Sequence, residues 1–157
     1  MNIKIYRRPL ACLSITGARA RVTPGLLSRF SGALAEKGIN IYAVSTGEYS
    51  LSFYVDDESA VKGMEALGTL VKKSAFTALS LERNIAMLTA TGKEFVGASG
   101  LLFRLIKPLA EVQMNVLSVT SSYDSVILFI GWKGGKKAFK LIEKSFLQEL
   151  RAPRKKK

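Results

Sequence analysis

The sequence predicts an α+β protein made of two ferredoxin-like βαββαβ units in tandem, the first inserted into the second. Each unit is expected to be an antiparallel sheet with its helices on one face. Three observations predict this. First, the chain matches itself without a gap at an offset of 75 residues. Leu13, Thr16 and Gly17 meet Leu88, Thr91 and Gly92, and Gly25, Leu26, Leu27 and Arg29 meet Gly100, Leu101, Leu102 and Arg104. Leu34, Ala35, Glu36 and Asn40 meet Leu109, Ala110, Glu111 and Asn115, and Val44, Ser50 and Lys62 meet Val119, Ser125 and Lys137. A constant offset over about fifty residues is the mark of a duplicated unit. Second, hydrophobic periodicity within each copy alternates between strand and helix in the order β-α-β-β-α-β. Third, one strand is spare and one is missing, and the two fit.

In the first copy, "LACLSIT" (10–16) alternates as a strand does. Thr23 is a suitable N-cap and Pro24 suits the first helical position. Leu26, Leu27, Phe30 and Leu34 then recur on one helical face, and Gly38 ends the helix in a left-handed cap. "INIYAVST" (39–46) and "YSLSFYV" (49–55), joined by a tight Gly47-Glu48 turn, read as a hairpin. Asp56 or Asp57 caps a second helix that turns Val61, Met64, Leu67 and Val71 inward, and "AFTALSL" (75–81) is a fourth strand.

The second copy repeats the pattern. "IAMLTAT" (85–91) is a strand, and Ser99 caps a helix bearing Leu101, Leu102, Leu105, Ile106 and Leu109. "MNVLSVTS" (114–121) and "SVILFIG" (125–131) form the hairpin, and "KKAFKLIEKSFLQEL" (136–150) is the second helix. No fourth strand follows. The alternating "NIKIYR" (2–7) is left over at the start and is expected to complete the second sheet, which would otherwise expose an unpaired edge. The expected domains are therefore 10–82, then 1–9 with 83–150, followed by a disordered basic tail, 151–157.

Nearly half of the 157 residues are hydrophobic, enough to bury a core. No apolar run approaches the roughly 20 residues of a membrane span, and no signal peptide is read at the start. Cys12, the only cysteine, alternates with apolar neighbours and reads as a small buried hydrophobe. A lone cysteine excludes an intrachain disulfide and fits the cytoplasm. There is no histidine, which excludes Ser-His-Asp and Cys-His catalysis and imidazole-ligated metals. No phosphate loop of the G-x-x-x-x-G-K-[ST] kind and no paired carboxylates occur. "GWKGGKK" (131–137) reads as a turn and helix start. No catalytic residue, metal or cofactor is expected, and the chain is not expected to be an enzyme.

The net charge is +12, with five basic residues among the last seven. Such a tail reads as a solvated end that can also hold nucleic acid weakly. Base recognition on this fold needs a basic-Gly-aromatic-Gly-aromatic run on the third strand. "YSLSFYV" and "SVILFIG" lack it, so nucleic acid is not the expected partner. Amino-acid binding has better support. The 17–25 loop runs into a helix start whose free N–H groups suit a carboxylate, and Gly25 permits close approach. Asn40 with neighbouring backbone groups offers acceptors for an ammonium, and Thr46 and Glu48 stand at the far end of the same strand.

"ITGARARVTPGLLSRFSGALAEKGINIYAVSTGEYSLSFYVD" (15–56) resembles the first ACT domain of aspartate kinases, and 88–130 resembles the second. The resemblance extends over about residues 3–150. It implies a regulatory module that binds an end-product amino acid, lysine or threonine, and pairs as a homodimer through its first ACT domains. The partner it implies is an aspartate kinase catalytic domain or subunit. The kinase's own Lys-Phe-Gly-Gly motif does not occur, so the expectation is a regulatory region alone; a free-standing ACT regulator or a nucleic-acid-binding protein is the alternative. Carried over residue by residue, the effector site comprises Ala20, Thr23, Pro24, Gly25, Leu26 and Leu27, then Asn40, Ile41 and Tyr42, then Thr46, Gly47 and Glu48. Backbone groups of Ala20, Asn40 and Ile41 would hold the polar head of the effector. Glu48 suits the side-chain ammonium of lysine, whereas Tyr42 stands where lysine-sensitive members tend to carry an acid, which keeps threonine open. The resemblance makes the second copy structural.

Overall fold

The computed structural model describes residues 1–17, 24–72, 76–96 and 99–151. Its elements run β1 (Asn2–Ile5), β2 (Leu10–Gly17), α1 (Leu26–Glu36), β3 (Ile41–Thr46), β4 (Ser50–Asp56), α2 (Ala60–Val71), β5 (Phe76–Thr91), α3 (Leu101–Ala110), β6 (Val116–Ser121), β7 (Ser125–Gly131) and α4 (Gly135–Arg151). The fold is α+β and ferredoxin-like. Two compact units divide the chain: Arg8–Ile85, called the first unit below, and Met1–Arg7 with Ala86–Lys157, the second.

In the first unit the strand order is β3-β4-β2-β5. Alternation along β2 and β4 turns Ala11, Leu13 and Ile15 and Leu51, Phe53 and Val55 to one face. There they form a core with Leu26, Phe30 and Leu34 of α1 and Ala60 and Leu67 of α2. Both helices therefore cover the same side of the sheet. Leu27, expected inward, is exposed, because the inward stripe takes positions 26, 30 and 34. Val61 of α2 is exposed for the same reason, with Ala60, Gly63 and Leu67 taking the inner stripe. On the other side of β2, Cys12 is buried and its Sγ lies 3.3 Å from Ser14 Oγ, which meets Ser52 Oγ across the strands at 2.8 Å.

The second unit repeats the order as β6-β7-β5-β1. β1 pairs with β5 antiparallel, Asn2 opposite Thr91 and Ile5 opposite Leu88, so a strand from the start of the chain lies beside the strand that opens the second copy. Leu101, Leu105 and Leu109 of α3 and Ala138, Ile142 and Phe146 of α4 pack on Leu88 and Ala90 of β5 and Val126, Leu128 and Ile130 of β7.

Several local expectations are corrected. The strands expected at 75–81 and 85–91 are joined, from Phe76 on, in one strand, β5; the polar Glu82-Arg83-Asn84 run between them is a bulge with Asn84 at φ 59°. β3 starts at Ile41, not Ile39, because the left-handed Gly38 (φ 66°) leads the chain into Ile39 as a core plug before it becomes extended. The hairpin turn is centred on Glu48-Tyr49, one residue later than expected, since the Gly47 N–H donates to the Ser50 carbonyl (2.8 Å). Pro24 precedes the helix: Gly25, at φ 78°, is the N-cap of α1, and Gly100, at φ 77°, not Ser99, is that of α3. Residue 23, expected as a cap, lies outside the described residues. Neither Asp56 nor Asp57 caps α2; a short 3-10 turn at Asp57–Ser59 intervenes. The run 131–137 is the expected turn and helix start, and Gly135 in it serves packing: a Cβ there would stand 2.8 Å from Ala86 Cβ and 3.1 Å from Ile5 Cδ1, so the start of α4 presses on the sheet. No described helix is long and apolar enough to cross a membrane.

Candidate functional site

The residues expected to bind an effector fall into two groups in the first unit. β3 runs antiparallel to β4, and β4 antiparallel to β2, so β2 and β3 point the same way and α1 runs back between them. The start of α1 therefore lies at the end of the sheet where β2 and β3 finish. The Gly17 N–H donates to the Tyr49 carbonyl there (3.0 Å), fixing the hairpin beside the end of β2. Pro24, Gly25 and Leu27 thus share an end with Thr46, Gly47 and Glu48, and all six are exposed. Leu26 is buried in the core and offers only its backbone. Asn40, Ile41 and Tyr42 stand at the opposite end, about 17 Å away along β3 at roughly 3.3 Å per residue. Asn40 is exposed, and Ile41 packs on the core. Ala20 and Thr23 lie outside the described residues.

At the first end, α1 opens without a side-chain cap among the described residues, and the Gly25 carbonyl accepts from the Arg29 N–H (3.0 Å). Its first-turn N–H groups are those that a helix leaves without intrahelical partners. The second unit has the same geometry at Gly100, with Arg104 in place of Arg29. The glycine therefore belongs to the fold: a side chain at that φ would be strained in either copy. What sets the first unit apart here is Pro24 in place of Ser99.

At the other end the structure shows a polar cluster that sequence reasoning missed. Tyr42 is the extra residue of a bulge, since Ile41 faces Val55 and Ala43 faces Tyr54. Its hydroxyl donates to Asp56 Oδ2 (2.8 Å), and Arg8 Nη2 donates to the same oxygen (3.3 Å). The second unit has the same bulge at Leu117, but with Gly131 opposite the place of Asp56. In the repeat, Tyr42 and Asp56 are among the polar positions whose twins, here Leu117 and Gly131, are nonpolar.

The adjacent Asp57 does different work. Its carboxylate takes Arg83 Nε (3.1 Å), Arg83 Nη2 (2.6 Å) and the Asn84 N–H (3.1 Å), and its carbonyl takes Arg83 Nη2 (3.1 Å). It thereby holds the bulge of β5. The Arg83 hydrogen bonds keep the Asp57 carboxyl below its usual pKa against the opposing effect of burial, and the same bonds raise that of Arg83. Among the described residues, no group of three or more Cys, Asp or Glu is placed to hold a metal ion.

Comparison with known proteins agrees with this architecture. Residues 13–71 match the model of the ACT domain family. An aspartokinase of Mycolicibacterium smegmatis is 38% identical over 63 residues, which are 40% of this chain and 15% of that one. The regulatory subunit of aspartate kinase from Thermus flavus superposes with a TM-score of 0.81 at 18% identity, over 93% of this chain and 97% of that one. This chain resembles the regulatory region of an aspartate kinase. The aspartate kinase of Clostridium acetobutylicum superposes with a TM-score of 0.84 at 18% identity, over 92% of this chain but 34% of its own. The chain thus spans a minor part of these whole kinases and nearly all of the Thermus regulatory subunit.

Proposed function

We propose that the chain is an amino-acid-sensing regulatory module of an aspartate kinase, that its first unit reads lysine or threonine, and that it does so as a homodimer. The observation that carries this reading is the separation of the two site groups along β3. One molecule cannot bring Asn40–Tyr42 to Pro24–Leu27 and Thr46–Glu48. Two molecules can. Among the described residues β3 pairs with β4 alone, which places it at the edge of the sheet, where a further strand can add. Antiparallel pairing of two such edges sets residues 40–42 of one molecule against the α1 start and hairpin of the other, twice. The amino acid's carboxylate would face the α1 start, and its ammonium the backbone and Asn40 side of the second molecule.

Effector would then favour the paired state and bias a kinase partner by its differential affinity for two states. The resemblance to an allosteric enzyme, the Clostridium kinase, supports this use of the fold. The module would bind effector and leave phosphotransfer to the kinase partner.

The test is titration calorimetry against lysine, threonine and methionine, with sedimentation equilibrium at each ligand concentration. One of lysine and threonine is expected to bind, to shift the chain toward dimer, and to bind more weakly on protein dilution. Asn40→Ala and Glu48→Gln should each weaken binding. Silence with all three amino acids, or binding to a monomer with undiminished affinity, would refute the reading.

A further inference from the structure

The charge of this protein is not shared between its units. The second unit holds 15 basic and 5 acidic residues, a net +10, and the first holds 9 and 7, a net +2. Within the second unit the charge gathers on one helix. Lys136, Lys137, Lys140 and Lys144 rise along α4, with Lys133 on the turn before it, and all five are exposed. None of the five forms an ion pair among the described residues. Four of them, with Leu141, line an open cleft of about 380 Å³. Leu141 is half-buried and packs against the core, whereas the four lysines around it are exposed. The opposite stripe, Ala138, Ile142 and Phe146, is buried in the core, so the lysines lie on the side of α4 turned away from it.

The fold does not require these lysines. Their twins in the first unit, 75 residues earlier, are Glu58, Val61, Lys62, Glu65 and Thr69. The same helix surface thus carries a net −1 in one copy and +5 in the other. Like charges at i,i+4, as at 136, 140 and 144, also oppose helix formation by a few tenths of a kcal/mol per pair. A feature that the fold neither needs nor favours calls for an external counter-charge.

We propose that this α4 face binds the phosphodiester backbone of nucleic acid, without reading sequence. A row of ammonium groups over about 12 Å of helix, at 1.5 Å per residue, matches a linear polyanion. Lysine is the appropriate residue: it acts as a point charge toward phosphate, while the planar fork of arginine, which selects carboxylates in pairs, is absent from the row. No aromatic side chain lines the cleft to stack on bases, so the contact is electrostatic and indifferent to sequence. In the sequence, five further basic residues, Arg151, Arg154, Lys155, Lys156 and Lys157, come after the row. This surface is a helix, distinct from the strand face that RNA-binding modules of this fold use to stack bases.

The experiment is fluorescence anisotropy of the full chain with a labelled 20-base-pair DNA, and separately with RNA of the same sequence, across 50–200 mM salt. The expected result is binding that weakens linearly in log K against log salt and is equal for scrambled sequences. Replacing Lys136, Lys137, Lys140 and Lys144 together by Gln keeps helix propensity. It should lower the salt slope on DNA by about 3.6, at roughly 0.9 per phosphate contact, and weaken binding at least about tenfold at 50 mM. A chain ending at Arg151 should retain the share due to the row. Unchanged binding after the fourfold substitution, with loss on removal of the last six residues, overturns the assignment. So does equal competition by poly-glutamate, which would indicate an acidic protein, or equal binding to phosphatidylserine vesicles, which would indicate a membrane. Absence of any DNA or RNA binding at 50 mM salt overturns it too. Calorimetry with lysine and threonine on the fourfold variant keeps this outcome separate from that of the effector site.

Discussion

The first and second units share one plan and spend their side chains differently. Both begin their first helix at a left-handed glycine, both carry a bulge in the edge strand, and both close the hairpin with the same backbone bond. Against that common plan, the first unit places polar groups inside its own structure: Tyr42, Asp56 and Arg8 at one end of β3, and Asp57 on the bulge of β5. The second unit has Leu117, Gly131 and Trp132 at the corresponding places and puts its charge on the outside of α4. What the copies share describes the fold; what they do not share is how each unit places its polar and charged groups.

The comparison can be broken most forcefully in the cores. Phe53 and its twin Leu128 are fully buried on equivalent strands. Phe53→Ala should cost about 3–5 kcal/mol and Leu128→Ala about 2–5. Urea denaturation followed by Tyr and by Trp132 fluorescence checks this. If the units unfold independently, each substitution shifts one transition; a single common shift would show that they unfold together.

A smaller effect lies in Asp57. Asp57→Asn should cost about 1.5–3 kcal/mol, the range for hydrogen bonds to a charged group. Its carboxyl is held below its ordinary pKa, so the unfolded chain binds the proton more readily. The stability it contributes is complete above about pH 4 and is lost as pH falls through the lowered folded value. Denaturation midpoints between pH 2.5 and 6 should therefore fall toward acid in the wild type and flatten in Asp57→Asn. An unchanged acid limb would remove Asp57 as its source.

The smallest effect sharpens the comparison at the helix ends. Gly38 and its twin Gln113 both take the left-handed conformation, at φ 66° and 55°. Each donates to the carbonyl three residues back, and the next residue donates to the carbonyl five back, the Schellman arrangement. Only one of them is a glycine. Gln113→Gly should stabilise the second unit by about 1 kcal/mol, and Gly38→Ala should destabilise the first by about the same. Thermal unfolding of both variants tests the pair; equal signs would contradict it.

Much of the fold was legible because repetition and periodicity are local properties. The offset of 75 residues, the alternation of 10–16 and the apolar stripe of α1 needed no tertiary information. The misread positions are those where geometry outweighs pattern. Glu82-Arg83-Asn84 is polar enough to look like a loop, but Asp57, from a distant part of the sequence, accepts its hydrogen bonds and holds it as a bulge. Leu27 is apolar, yet it lies off the stripe set by Leu26, Phe30 and Leu34. For Tyr42, the sequence offers a specificity position, and the fold adds the bond of its hydroxyl to Asp56.

The sequence by itself determined the duplicated α+β plan, the strand and helix order, the buried cysteine and the exclusion of histidine chemistry, because these follow from residue identity and spacing alone. Tertiary structure decided which end of the sheet each candidate residue occupies, which aspartate serves the bulge and which the edge strand, and that the lysines of α4 form one outward face. These depend on distances between residues far apart in the chain, and only the packed sheet and helices set those distances.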